Sequence, residues 1–176
     1  TMCIVGALGS LPGAAAGAAP TIDLWYGDVQ TVGEYGRTQQ WANVLGEVSD
    51  SDDTVTSLTY SLNGGPDRSL TIGRDNHPRL VGFGDFNVEI DRDDLVPGNN
   101  SVVITATDQG GNHTDRTVTL VNTPDVTWPL PTSVDWDGVT VPSEVVDVVD
   151  GRWSASSSGA RILETGYDRL FAVGDE

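Results

Sequence analysis

The 176-residue sequence predicts an all-β chain. Short runs of β-branched and aromatic residues recur between residues 21 and 123, and clusters of Gly, Asp, Asn and Pro separate them. No stretch sustains the apolar period of a helix.

The runs place strands at residues 21–26, 40–48, 55–62, 69–72, 86–90, 101–107 and 114–121. Seven strands in about 100 residues is what an immunoglobulin-like antiparallel β-sandwich requires. Within the sixth, Val102, Ile104 and Ala106 alternate with Ser101, Val103, Thr105 and Thr107, so the first set faces a core. Val118 and Leu120 repeat the pattern in the seventh, and Trp41, Val44, Leu45, Leu58, Tyr60 and Leu62 supply the facing layer. Pro97-Gly98-Asn99-Asn100 marks a turn before the sixth strand. Gln109-Gly110-Gly111-Asn112 marks the hairpin that makes the last two strands antiparallel neighbours.

The run Leu95-Val96-Pro97-Gly98-Asn99-Asn100-Ser101-Val102-Val103-Ile104-Thr105-Ala106-Thr107-Asp108-Gln109-Gly110-Gly111-Asn112, followed by Thr117-Val118-Thr119-Leu120, resembles the end of prokaryotic extracellular Ig-like and cadherin-like repeats. The resemblance implies a sandwich module and leaves its ligand open, because such modules host unrelated functions. The chain has neither the paired cysteines of antibody domains nor the inter-repeat acidic motifs of cadherins.

After residue 123 the composition shifts to Trp128-Pro129-Leu130-Pro131, which reads as a linker over 124–131. A second unit over 132–176 then shows strand-like runs at 139–141, 145–149, 153–155, 161–164 and 170–173. Its Asp150-Gly151-Arg152-Trp153 element, with Gly159-Ala160-Arg161 and the stretch from Gly166 to Asp175, resembles the first strands of laminin-G-like, concanavalin-A-type jelly rolls. That resemblance implies a partial second β-sandwich and carbohydrate or matrix binding. Trp136, Trp153 and Tyr167 either stack on sugar rings or fill a sandwich core, the second being the commoner use of aromatics at strand spacing.

Residues 1–19 read as a secretory signal peptide that lacks its basic start. An apolar run ends in small residues, and Ala16-Gly17-Ala18 fits the cleavage pattern. The run is too short and too rich in glycine for a membrane span. The 20–123 sandwich would then open the mature chain, and the sequence reads as continuing beyond residue 176.

The formal charge is -17, with 26 acidic residues and nine basic ones. All nine are arginine: Arg37, Arg68, Arg74, Arg79, Arg92, Arg116, Arg152, Arg161 and Arg169. They form no stripe, which argues against nucleic acid as a partner. The single cysteine, Cys3, lies in the expected signal segment, so the mature chain has no thiol for a disulfide, catalysis or zinc. His77 and His113 have no spaced partners and make no zinc site. No phosphate loop, dinucleotide fingerprint or G-x-S-x-G elbow occurs, and Gly64-Gly65 and Gly110-Gly111 read as hairpin turns. Asn99 and Asn112 each begin a glycosylation sequon.

One group of carboxylates suits a metal. Asp50, Asp52 and Asp53 follow the second strand, and Asp108 precedes the last hairpin, at the same end of an immunoglobulin-like sandwich. Hard oxygen ligands of this kind fit calcium. The alternative is that they are turn-forming and capping aspartates of an acidic surface.

The function these readings support is a non-catalytic module of a secreted or cell-surface protein, engaged in adhesion or carbohydrate binding with a glycan or surface protein as partner. The alternatives are the front end of a secreted polysaccharide-degrading enzyme and a passive stalk.

Overall fold

The computed structural model describes residues 17–34, 39–74, 79–123, 133–166 and 169–174. His77, Tyr167, the expected linker at 124–131 and nearly all of the expected signal segment lie outside the described residues.

The chain is an all-β sandwich. Strands β1 (Thr21–Leu24), β3 (Trp41–Ser49) and β6 (Asp85–Asp91) form an antiparallel sheet in the order β1-β3-β6. Strands β2 (Val29–Val32), β8 (His113–Asn122), β7 (Gly98–Asp108), β4 (Val55–Leu62) and β5 (Arg68–Ser69) form the second sheet in that order. Its pairs are antiparallel except β2 with β8, which is parallel.

Alternation decides what each sheet buries. In β7 the residues Val102, Ile104 and Ala106 are fully buried, as are Val118 and Leu120 in β8. Opposite them stand Ile22 and Leu24 of β1, Ala42 and Val44 of β3, and Phe86, Val88 and Ile90 of β6. Each buried Val, Leu, Ile or Phe among them contributes on the order of 1.5–3 kcal/mol relative to exposure.

Several local expectations need correction. Leu58 and Tyr60 belong to the same sheet as β7, and the facing layer comes from β1, β3 and β6 instead. Leu45 points to the opposite face of β3 from Val44, and Trp41 is exposed at the strand's start. The run 69–72 is a strand only at Arg68–Ser69. After Leu70 donates its N–H to Leu58 O at 2.8 Å, the chain leaves β4 and crosses to the other sheet, where Gly73 bonds Asp85 O at 3.0 Å. Leu70 and Ile72 still pack on the core, which explains their apolar character without a strand. Strand β2 has no counterpart among the sequence expectations, because Val-Gln-Thr-Val between glycines is a weak signal.

Two turns follow their residue chemistry. Asn63 and Gly64 have φ of 52° and 72°, and Gly65 donates to Leu62 O at 2.8 Å, closing a type I′ turn after β4. The β7–β8 hairpin closes through Gln109 to Asn112, with Gly111 at φ 84°.

Residues 133–166 and 169–174 add a third layer. Strands β9 (Asp147–Asp150) and β12 (Leu170–Ala172) pair antiparallel, and β10 (Trp153–Ser156) pairs with β11 (Gly159–Ile162). The run 139–141 is not a strand; it leads into a 3₁₀ turn at Pro142–Glu144. Val146 and Val148 cluster with Tyr26 and Leu45, so this segment covers the outer face of the β1-β3-β6 sheet. Strand β3 is therefore buried without a break from Ala42 to Gly46, while Asp23 of β1 and Glu89 of β6 stay exposed on the outer face.

Candidate functional site

Because β6 turns Phe86, Val88 and Ile90 inward, period-2 alternation turns Asn87 and Glu89 outward. In register with them on β3 stand Leu45 opposite Asn87, Asn43 opposite Glu89 and Trp41 opposite Asp91. The third layer covers Leu45 and stops short of Trp41, which stays 44% exposed. A groove remains along this uncovered end.

Two cavities share Arg79 and Glu89 in their linings, and the second of them includes Trp41. The first, of about 230 Å³, is lined by Tyr60, Ser69, Leu70, Thr71, Arg79, Leu80, Asn87 and Glu89. The second, of about 350 Å³, is lined by Gln39, Trp41, Arg79, Glu89, Val149 and Leu170. Arg79 and Glu89 line both, so the cavities adjoin across this pair. Arg79 Nη1 donates to Glu89 Oε1, and Nη2 donates to Val149 O at 3.2 Å.

An amide relay links β6 to β3. Asn43 Nδ2 donates to Trp41 O at 3.3 Å, and Asn87 Nδ2 donates to Asn43 Oδ1 at 3.0 Å. Among the described residues Asn87 Oδ1 is left buried without a hydrogen-bond partner, and so is Gln39 Nε2. One unpaired acceptor thus belongs to a residue lining the first cavity, and one unpaired donor to a residue lining the second.

The junction behind the groove is strongly polar. Asp150, 2% exposed, accepts from Arg169 Nη1 at 3.0 Å and lies 3.6 Å from Arg79 Nε. Burial pushes its carboxyl above the usual range, while Arg169 and Arg79 pull it back. Burial also raises Glu164, helped by the negative charge of Asp85. Tyr26 donates its hydroxyl to Gly151 O at 2.5 Å and accepts from Trp153 N at 3.0 Å. Burial pushes its phenol up to about 12.

The four aspartates expected to suit calcium lie at one end of the sandwich. Asp50 Oδ1 accepts the backbone N–H groups of Asp52 and Asp53, each at 3.0 Å, and these bonds hold its carboxyl below the usual range. Asp53 Oδ1 accepts from Thr54 N at 2.7 Å, and Asp52 Oδ2 from Ala18 N at 3.1 Å. Asp108 is buried and accepts Asn112 N at 2.8 Å and Asn112 Nδ2 at 2.7 Å. A Cβ added at Gly110 would lie 3.3 Å from Asp108 Oδ1 and 3.5 Å from Asp53 Oδ2, so the two loops do approach each other. Among the described residues no three His, Cys, Asp or Glu side chains are grouped so as to hold a metal ion.

Of the aromatics in the second unit, Trp153 meets Phe171 edge to face at 5.0 Å and Trp136 meets it at 6.3 Å. Both pack against the cluster of Tyr26 and Leu45 and so fill a core. The exposed aromatics among the described residues include instead Phe83, at 74%, and Trp41, which the sequence pattern assigns to the facing layer. Its signal was present: apolar residues at both parities of Trp-Ala-Asn-Val-Leu cannot all face one core. His113 is exposed at the start of β8.

No helix among the described residues is long and apolar enough to cross a membrane. No family model matches the chain. The comparison with curated proteins finds no match. Among solved structures, the chain is similar to the fibronectin(III)-like modules of CbhA from Clostridium thermocellum, at 18% identity and a TM-score of 0.38, over 60% of this chain and 47% of that one. It is also similar to the endo-beta-1,4-mannanase from Thermotoga petrophila, at 14% identity and a TM-score of 0.43, over 65% of this chain and 22% of that one. The chain therefore spans about half the length of the first and about a fifth of the second. By its own strand pairing the chain is an all-β sandwich with an added outer layer.

Proposed function

We propose that the chain is a non-catalytic module of a secreted or cell-surface protein and that it binds a glycan in the groove beside Trp41. The observation that carries the reading is the half-exposed indole of Trp41 set next to Gln39, Arg79 and Glu89 over a cavity of about 350 Å³. An aromatic face packs against the apolar face of a sugar ring, and planar polar side chains around it match ring hydroxyls. The acidic surface and the expected export segment fit an extracellular setting, where a glycan or a surface glycoprotein is the partner.

The test is a glycan array probed with the intact chain and with Trp41→Ala. The wild type is expected to bind, and the variant to lose binding at an unchanged melting midpoint. No binding of the wild type to any glycan would remove the reading.

A further inference from the structure

The two sequons, Asn99-Asn100-Ser101 and Asn112-His113-Thr114, are equivalent as sequence and different in the fold. A sequon offers an asparagine amide and a hydroxyl two residues further on. Alternation along β7 puts Asn99 and Ser101 side by side on the outer face of the five-stranded sheet, because Asn100 and Val102 turn inward. Both are exposed, and neither the Asn99 side chain nor the Ser101 hydroxyl has a hydrogen-bond partner among the described residues. Val121 of β8 pairs with Asn99, and Thr31 of β2 pairs with Val121 in turn. The third layer covers the other sheet, so Asn99 and the Trp41 groove lie on opposite outer faces of the sandwich.

The second sequon is engaged at both of its groups. Asn112 Nδ2 donates to Asp108 Oδ2 at 2.7 Å, and Thr114 Oγ1 donates to Pro20 O at 2.6 Å. A Cβ added at Gly110 would lie 3.2 Å from the same Asn112 nitrogen, and one added at Gly17 would lie 3.4 Å from it, so two backbone segments also pack on it. A sugar on that nitrogen replaces one of its two hydrogens and must fit among Asp108, Gly110 and Gly17. A chain that receives the sugar before folding meets the same crowding when the β7–β8 hairpin closes. At Asn99 the sugar projects from the sheet into solvent.

We infer that Asn99 is an N-glycan acceptor and that Asn112 is not. The transfer joins the anomeric carbon of a lipid-linked oligosaccharide to Asn99 Nδ2, breaks that carbon's bond to the lipid diphosphate, and releases one amide proton. The glycan then shields the outer face of the five-stranded sheet beside Val121 and Thr31.

The test secretes the intact chain from yeast behind a yeast leader, so the outcome does not depend on residues 1–19. Peptides of the folded product are weighed by mass spectrometry before and after enzymatic glycan release. Asn99 is expected to be occupied in most chains, roughly fivefold or more above Asn112. Asn99→Gln and Ser101→Ala are each expected to abolish that glycan. Made in a host without glycosylation, both variants are expected to melt within about 3 °C of the wild type, since neither side chain holds the fold. An unoccupied Asn99 would overturn the acceptor assignment. Equal occupancy of Asn112 in chains that melt cooperatively would overturn the exclusion of the second sequon.

Discussion

Asn63 Nδ2 donates to Asn100 Oδ1 at 2.9 Å, while Asn63 Oδ1 accepts the N–H of Ser101 at 2.8 Å. This pair ties the turn after β4 to the start of β7. Asn100 is fully buried, accepts Val96 N at 2.9 Å, and donates to Val96 O, Gly98 O and Leu120 O at 2.8, 3.0 and 3.4 Å. One carboxamide thus satisfies the backbone of the loop that the sequence marks with Pro97-Gly98.

Asn100→Ala strands several of these backbone groups at once. The expected loss is about 3 kcal/mol in urea unfolding. Asn100→Asp is expected to be no better, because a carboxylate cannot donate to the three carbonyls and would be buried as a charge. A loss below about 1 kcal/mol for Asn100→Ala would show that water replaces the side chain.

Tyr26 joins the sandwich to the third layer through Gly151 O and Trp153 N. Its phenol is raised from 10.0 to about 12, so the folded state holds this proton more tightly than the unfolded one. The associated stability is fully present below pH 10 and is lost as pH rises through the window from 10 to about 12. Unfolding curves across that window should show a fall of about 2 kcal/mol in the wild type. Tyr26→Phe lacks that component and is less stable by about 1–2 kcal/mol at neutral pH.

Asp150 and Arg169 are both buried, with side chains 2% and 8% exposed. Removing one partner leaves the other buried with a more distant counter-ion, Arg79 at 3.6 Å for Asp150 or Glu164 at 3.8 Å for Arg169, so Asp150→Ala is expected to cost about 3 kcal/mol, the low end for a broken buried pair. Replacing both, as in Asp150→Val with Arg169→Met, is expected to lie closer to the wild type than either single change. A double-mutant cycle in denaturant measures this coupling.

Asp108 holds the β7–β8 hairpin by accepting both Asn112 N and Asn112 Nδ2. Asp108→Ala should lower stability by about 1–3 kcal/mol, read as a shift in the melting midpoint. The same curves recorded with calcium and with chelator read any ion held by Asp50, Asp52, Asp53 and Asp108. Such an ion would raise the wild-type midpoint by mass action, and Asp108→Ala would abolish the rise.

Much of the sandwich was legible because it rests on short-range rules. The alternation of Val102, Ile104 and Ala106 identified a buried face directly, and Gly110-Gly111 placed the hairpin. What failed to show was which sheet each strand joins: Leu58 and Tyr60 read correctly as buried but were set opposite β7 when they lie beside it. Alternation reports that a side chain is inside, and says nothing about which layer it came from. Gln39, Asn87 and Glu89 gave no local signal, since each is an ordinary polar residue until two strands are placed in register.

The sequence by itself determined the fold class, most strand positions, the turn after β4 and the hairpin after β7. Each depends on the period of apolar residues or on the φ preference of a few turn residues, and neither needs a distant partner. Only the tertiary structure decided that Val146 and Val148 lie against the outer face of the β1-β3-β6 sheet, that Trp136 and Trp153 fill the core of this third layer, and that Trp41 is left at its open end. The reason is that an outward-facing residue on a strand is exposed or buried according to what packs on the sheet, and the residues doing so here lie about a hundred positions away.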